Sequence, residues 1–294
     1  MFEEFRNAFN RPNNGHVQLI IINVVVFIVV GVLFVFTQIG GYENAFKIVH
    51  SQFLIPPTFA EFITRPWTII TYAFAHSLTD IFHILFNMIA LYWFGKLFVE
   101  YLGSDKLIAL YVLGALAAAT FYLLMFNTVP FYKEQSNFPG MVGASGAIYA
   151  IMVGAATLLP DYTFFLLFFG PVRIKYIAAI YILISFLGSV GANSGGNIAH
   201  LGGALMGFVY IKQLQAGVNW GGWITSVIDW IKNLFKPRVK VKVTYRKAEP
   251  KEKSSSPKKA SQEEIDAILD KISDRGYESL SKDEKEKLFN ASKK

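Results

Sequence analysis

The chain has 294 residues, of which 53% are hydrophobic, 16% aromatic and only 17% charged, against about 25% charged in an ordinary soluble domain. It contains no cysteine, which excludes disulfides, thiolate catalysis and zinc–thiolate sites. The net charge of +7 is concentrated in Lys236–Lys259, directly behind an apolar body, where basic residues meet anionic lipid headgroups; no nucleic-acid partner is expected.

Residues 1–16 form a mixed-charge N-terminal segment. No small-residue cleavage site follows Ile20–Phe36, so this run reads as a retained membrane helix, not a removable signal. Six segments are apolar enough to be read as spans: Val17–Phe36, Asp80–Tyr101, Asp105–Asn127, Ser145–Leu159, Val172–Gly188 and His200–Leu214. The fourth is short, as expected of a helix whose N-terminus stops at the floor of a water-filled depression. Arg6, Arg11, Lys96, Lys106, Arg173 and Lys175 fall on one side of this arrangement. Lys47, Arg65 and Lys133 fall on the other. The positive-inside rule then puts both termini in the cytoplasm.

The connection Thr37–Pro66, with Phe53, Phe59, Phe62 and the following Trp67 among polar residues, is expected to lie as short helices in the outer interface. Gly188–Ala199, rich in glycine, is expected to be a mobile external flap. After the six-helix membrane domain, 17–215, residues 216–236 carry Trp223, Ile224, Val227, Ile228, Ile231, Leu234 and Phe235 at helical spacing, as an interfacial amphipathic helix would. Residues 237–260 form a basic linker and 261–294 a small helical tail. Ser261–Glu264 and Ser281–Glu284 open its two helices in the capping-box pattern. The fold class is thus an all-α polytopic membrane protein with a short helical cytoplasmic tail. A bacterial inner membrane is the expected location.

Chemistry is carried by three short motifs. Gly143-Ala144-Ser145-Gly146 exposes a serine hydroxyl on a small-residue turn between apolar runs. Serine is a poor nucleophile unless a base takes its proton. Of the five histidines (His16, His50, His76, His83, His200), His200 begins the sixth span at the same membrane depth as Ser145 at the start of the fourth. Gly203 and Gly207, at i+3 and i+7 from His200, give that helix a face that can press backbone to backbone on another. His83 and Asn87, at i and i+4, project from one face of the second span and can aim donors at a common acceptor beside the Ser145 N–H. The alternative is a polar pair tying helices together, but polar groups at membrane depth are costly enough that function is the better reading. No acidic residue within the spans has a claim on His200: Asp80 and Glu100 read as helix-end residues, and Asp161 falls on the cytoplasmic side. A Ser–His dyad is therefore expected, its imidazole oriented by something else. Tyr149, one turn after Ser145, can stack on that ring or pack as an ordinary aromatic. No cofactor or metal is called for.

In this order, His83-x-x-x-Asn87, Gly143-x-Ser145-Gly146 and Ala199-His200-x-x-Gly203-x-x-x-Gly207 resemble the rhomboid family of intramembrane serine proteases over roughly Trp67–Ile211. The resemblance implies a six-helix bundle that admits a transmembrane segment of another protein. It makes Ser145 the nucleophile, His200 the base, and His83, Asn87 and the Ser145 N–H the oxyanion site. Tyr149 matches the ring that packs on the catalytic histidine, and Gly143 the glycine that keeps the turn open. The family often has a histidine five residues before the one matching His83; here His76 stands seven before, and structural support is its expected role. Inactive relatives, which bind transmembrane segments for quality control or trafficking, typically lack the serine or the histidine. This chain has both. A transporter would call for charges deep in the spans or two repeated halves, and neither is visible.

Overall fold

The computed structural model describes residues 7, 11–134, 140–235 and 261–292. The basic linker and the Lys236–Lys259 cluster lie outside the described residues. The chain divides into two compact units, Met1–Lys236 and Pro237–Lys294.

In the first unit, helix α1 (Gly15–Ile39) is followed by two short helices, α2 (Glu43–His50) and α3 (Phe59–Thr64), and by α4 (Thr68–Thr71). Then come α5 (Ile81–Leu102), α6 (Ser104–Thr128), α7 (Pro130–Lys133) and α8 (Ser145–Leu158). A two-stranded hairpin, β1 (Thr163–Leu166) and β2 (Gly170–Arg173), leads into α9 (Ile174–Gly188), α10 (Ser194–Gln215) and α11 (Gly222–Phe235).

Three of these helices, α1, α5 and α6, are long and apolar enough to cross a membrane. Outward-facing side chains support the same conclusion: Val29, Phe36 and Ile39 on α1, Phe82 and Phe86 on α5, and Phe186 and Leu187 on α9 are all more than 60% exposed. Apolar surface on that scale is unfavourable in water and is solvated by acyl chains. The protein is an integral membrane protein. Helices α8 and α9 are apolar but shorter. At 14 residues, α8 is about 21 Å long, well under the ~30 Å of a hydrocarbon core.

Helix α8 is the centre of the unit, with every residue from Gly146 to Ala156 buried. Its neighbours approach so closely because both sides are small. A methyl group at Gly114 of α6 would meet Ala150 Cβ at 2.5 Å, and one at Gly146 would meet Ala118 Cβ at 2.6 Å. On α10, a methyl group at Gly203 would overlap the Gly146 carbonyl oxygen, and one at Gly207 the Ala150 carbonyl oxygen. Glycine is required at both positions for α10 to lie backbone to backbone on α8.

Two expectations are corrected. The hairpin departs from an all-α fold: Thr163–Leu166 pairs antiparallel with Gly170–Arg173. The fifth helix accordingly starts at Ile174, not Val172. The glycine-rich stretch Gly188–Ala199 is not one long flap. Gly188 ends α9, α10 already begins at Ser194, and only Ser189–Asn193 connect them. The Asn197 amide donates to the Gly188 and Asn193 carbonyls, each at 2.9 Å, and stitches that connection to the helix. His200 therefore lies almost two turns inside its helix, not at its start.

In the second unit, α12 (Gln262–Arg275) and α13 (Lys282–Ala291) each open with a full capping box, Ser261/Glu264 and Ser281/Glu284. Lys271–Glu284 and Lys287–Glu264 ion pairs, at 2.9 and 3.1 Å, join the two helices.

Candidate active site

The N-terminal two turns of α5, α8 and α10 surround a cavity of about 580 Å³ lined by Ser145, His200, His83, Asn87 and Tyr149, among others. Asp80 fixes the start of α5: its carboxylate accepts the backbone N–H of Phe82 (3.1 Å) and His83 (3.3 Å), an N-cap that holds the His83 turn in place. Gly143 adopts φ +138°, which an L-residue rarely takes. Its N–H donates to the Tyr72 carbonyl at 3.0 Å. A methyl group there would stand 3.0 Å from Cε1 and Nε2 of His83. The glycine thus lets the His83 ring sit directly over the turn that delivers Ser145.

Ser145 Oγ and His200 Nε2 are 2.8 Å apart, within the range of a good hydrogen bond. The two side chains come from helices whose backbones meet at Gly203 and Gly207. The Tyr149 ring lies parallel to the imidazole, centroids 4.1 Å apart and planes inclined by 8°. Stacking fixes the plane of the imidazole without adding charge.

His83 and Asn87 both face the cavity, but their side chains are not equally free. Asn87 Nδ2 donates to the His83 carbonyl at 2.8 Å, a bond within its own helix, so one of its two N–H groups is committed. His76 is buried and packs edge-on to His83, with ring centroids 5.3 Å apart. It supports the His83 ring and does not touch Ser145.

One residue of the site has no signal in the sequence. Ser185, in the last turn of α9 and fully buried, places its Oγ 3.1 Å from His200 Nδ1 and donates to the Tyr149 hydroxyl at 2.9 Å. It occupies the side of the imidazole where a triad would have a carboxylate. A lone serine in the run Ile174–Gly188 looks like any helix-packing residue, and only the packing of α9 on α8 and α10 gives it this partner. Among the described residues no group of three or more metal-ligating side chains occurs.

Residues 64–215 match the Rhomboid domain family, about half of the chain. The chain belongs to the rhomboid family. Over 163 residues (52% of this chain and 48% of the relative) it is 38% identical to "RHOMBOID-like protein 12, mitochondrial" of Arabidopsis thaliana. It is 30% identical over 168 residues (54% and 45%) to "Rhomboid protein 1, mitochondrial" of Saccharomyces cerevisiae. With "Rhomboid protease GlpG" of Haemophilus influenzae the identity is 25% over 173 residues, 59% of this chain and 80% of that one. The chain spans about half the length of the two mitochondrial relatives. Those relatives give no support to the expected bacterial inner membrane; what stands is an integral membrane rhomboid. Residues 251–294 match a family of unknown function, DUF6576.

Proposed function

We propose that this rhomboid is an intramembrane serine endopeptidase that cuts other membrane proteins in or near their transmembrane segments. The observation carrying the proposal is the 2.8 Å contact between Ser145 Oγ and His200 Nε2 at a cavity between apolar helices. In this reading α1, α5, α6, α8, α9 and α10 are the six spans, and both termini are cytoplasmic. The bilayer and the substrate's transmembrane segment are the partners. Residues 17–215 are the catalytic body, 216–236 an interfacial helix, 237–260 a linker and 261–294 an appended helical tail.

The chemistry follows from the side chains. As Ser145 Oγ attacks the scissile carbonyl carbon, its proton passes to His200 Nε2. The carbonyl oxygen becomes an oxyanion, accepting from the Ser145 backbone N–H, which has no partner within its own helix at the first position of α8. Donors from His83 and from the uncommitted N–H of Asn87 complete the hole. Collapse of this intermediate breaks the C–N bond, and the leaving amine takes the proton from Nε2. Water, activated by His200 in the same way, then hydrolyses the acyl-serine and restores the dyad. Tyr149 holds the ring plane throughout, and Gly143 keeps the turn open beneath His83.

The test is cleavage of a model transmembrane substrate by the purified full chain in liposomes. The parent is expected to cut, and Ser145→Ala and His200→Ala to lose on the order of 10⁴-fold or more of that rate. Cutting by Ser145→Ala at the parent rate would refute the proposal. A parent that binds the segment without cutting it would favour a catalytically silent, segment-binding rhomboid.

A further inference from the structure

We infer that Ser185 is a positioning residue for the dyad: with the Tyr149 hydroxyl it forms a one-way hydrogen-bond chain that fixes the His200 tautomer and leaves Nε2 free to take the Ser145 proton. This inference rests on the proposed protease reading and adds the part that reading lacks, since no carboxylate contacts the imidazole among the described residues.

The direction of the chain follows from its last member. Tyr149 Oη lies 3.4 Å from the Tyr181 backbone carbonyl, which can only accept, so the tyrosine O–H donates there. Tyr149 oxygen is then an acceptor toward Ser185, whose O–H donates to it at 2.9 Å. Having committed its one proton, Ser185 can only accept from its other neighbour, His200 Nδ1 at 3.1 Å. Nδ1 must therefore carry the hydrogen. In a neutral imidazole that leaves the lone pair on Nε2, the atom 2.8 Å from Ser145 Oγ. The carbonyl of α9 thus sets, through two hydroxyls and a ring, which nitrogen acts as base.

The sequence places these partners on three helices: Tyr149 on α8, Ser185 and Tyr181 one turn apart on α9, and His200 on α10. Ser185 and Tyr149 are both buried, so water does not readily substitute for either hydroxyl. Tyr149 accordingly has two separable roles. Its ring stacks on the imidazole, and its hydroxyl orients Ser185.

The experiment uses the purified full chain and a fluorophosphonate probe. It separates the maximal labelling rate at Ser145 from the probe concentration that gives half that rate. Ser185→Ala is expected to lower the maximal rate about five- to tenfold, the effect of one lost buried hydrogen bond, with the half-saturating concentration unchanged. Ser185→Thr, which keeps the hydroxyl, should recover most of that loss. Tyr149→Phe, which keeps the ring, should lower the rate by a smaller factor. The parent alone supplies a variant-free check: ¹⁵N spectra of histidine-labelled protein should show His200 with a protonated Nδ1 and a bare Nε2. The reverse tautomer, or equal labelling of the parent and Ser185→Ala, would overturn the inference while leaving the dyad intact. A parent that neither labels nor cuts would remove the protease reading itself.

Discussion

At the scale of single residues, the site depends on where hydroxyl, imidazole and glycine stand, and Gly143 tests that sharply. Its φ of +138° is strained for any L side chain, and a methyl group there would press on the His83 ring at 3.0 Å. Gly143→Ala is expected to displace either His83 or the Ser145 turn. That would cost about 1–3 kcal/mol of stability from backbone strain and lower cleavage by more than tenfold, read by thermal melting and by turnover on one preparation. The two residues proposed to do the chemistry stand out in the sequence because their neighbours are unusual: Ser145 sits in a glycine turn, and His200 heads a glycine-spaced face. Ser185 was not legible. Its role is created by α9 packing against α8 and α10, and no local pattern around Ile184-Ser185-Phe186 announces it.

At the scale of elements, the dyad is a consequence of how α8 and α10 touch. Gly203 and Gly207 place α10 against the Gly146 and Ala150 carbonyls, and that contact is what brings His200 to Ser145. Gly207→Val, two turns from the chemistry, is expected to push the helices apart. Overpacking should lower the melting temperature of the detergent-solubilised protein, at about 1–3 kcal/mol, and reduce cleavage together with it. A variant that melts early yet cuts at the parent rate would detach the glycine face from catalysis. The helix boundaries that the sequence missed have physical reasons. Ser194-Gly195-Gly196-Asn197 is poor in helix propensity, yet it is helical because Gly195 packs against Tyr122 and Asn197 ties back to Gly188. The run Phe164–Phe169 shows no strand alternation, and only Gly170-Pro171 marks a turn. Its tip residues Leu167 and Phe168 are 90% and 87% exposed, so no burial pattern was there to be read.

At the scale of the whole molecule, an apolar body and a charged tail obey different physics. In the body, packing of small residues dominates. In the tail, ion pairs and caps contribute, and their effect depends on pH. The Lys271 ammonium, the Ser281 N–H and its hydroxyl hold the Glu284 carboxyl down from 4.5 to about 2. Because the folded value is depressed, the stabilisation is fully present above 4.5 and is lost as pH falls through about 2. A carboxyl ¹³C titration of the full chain should find Glu284 in that low range, and Lys271→Ala should move it up toward 4.5. The division between body and tail was visible from charge alone. The family followed from three motifs in order, and the host membrane did not, since nothing in an apolar helix names the membrane it crosses. The central claim is that His200 activates Ser145, and a fluorophosphonate adduct located by peptide mass spectrometry tests it most directly. The adduct is expected on Ser145 in the parent and absent in His200→Ala. An adduct on another serine, or undiminished labelling of Ser145 without His200, would contradict it.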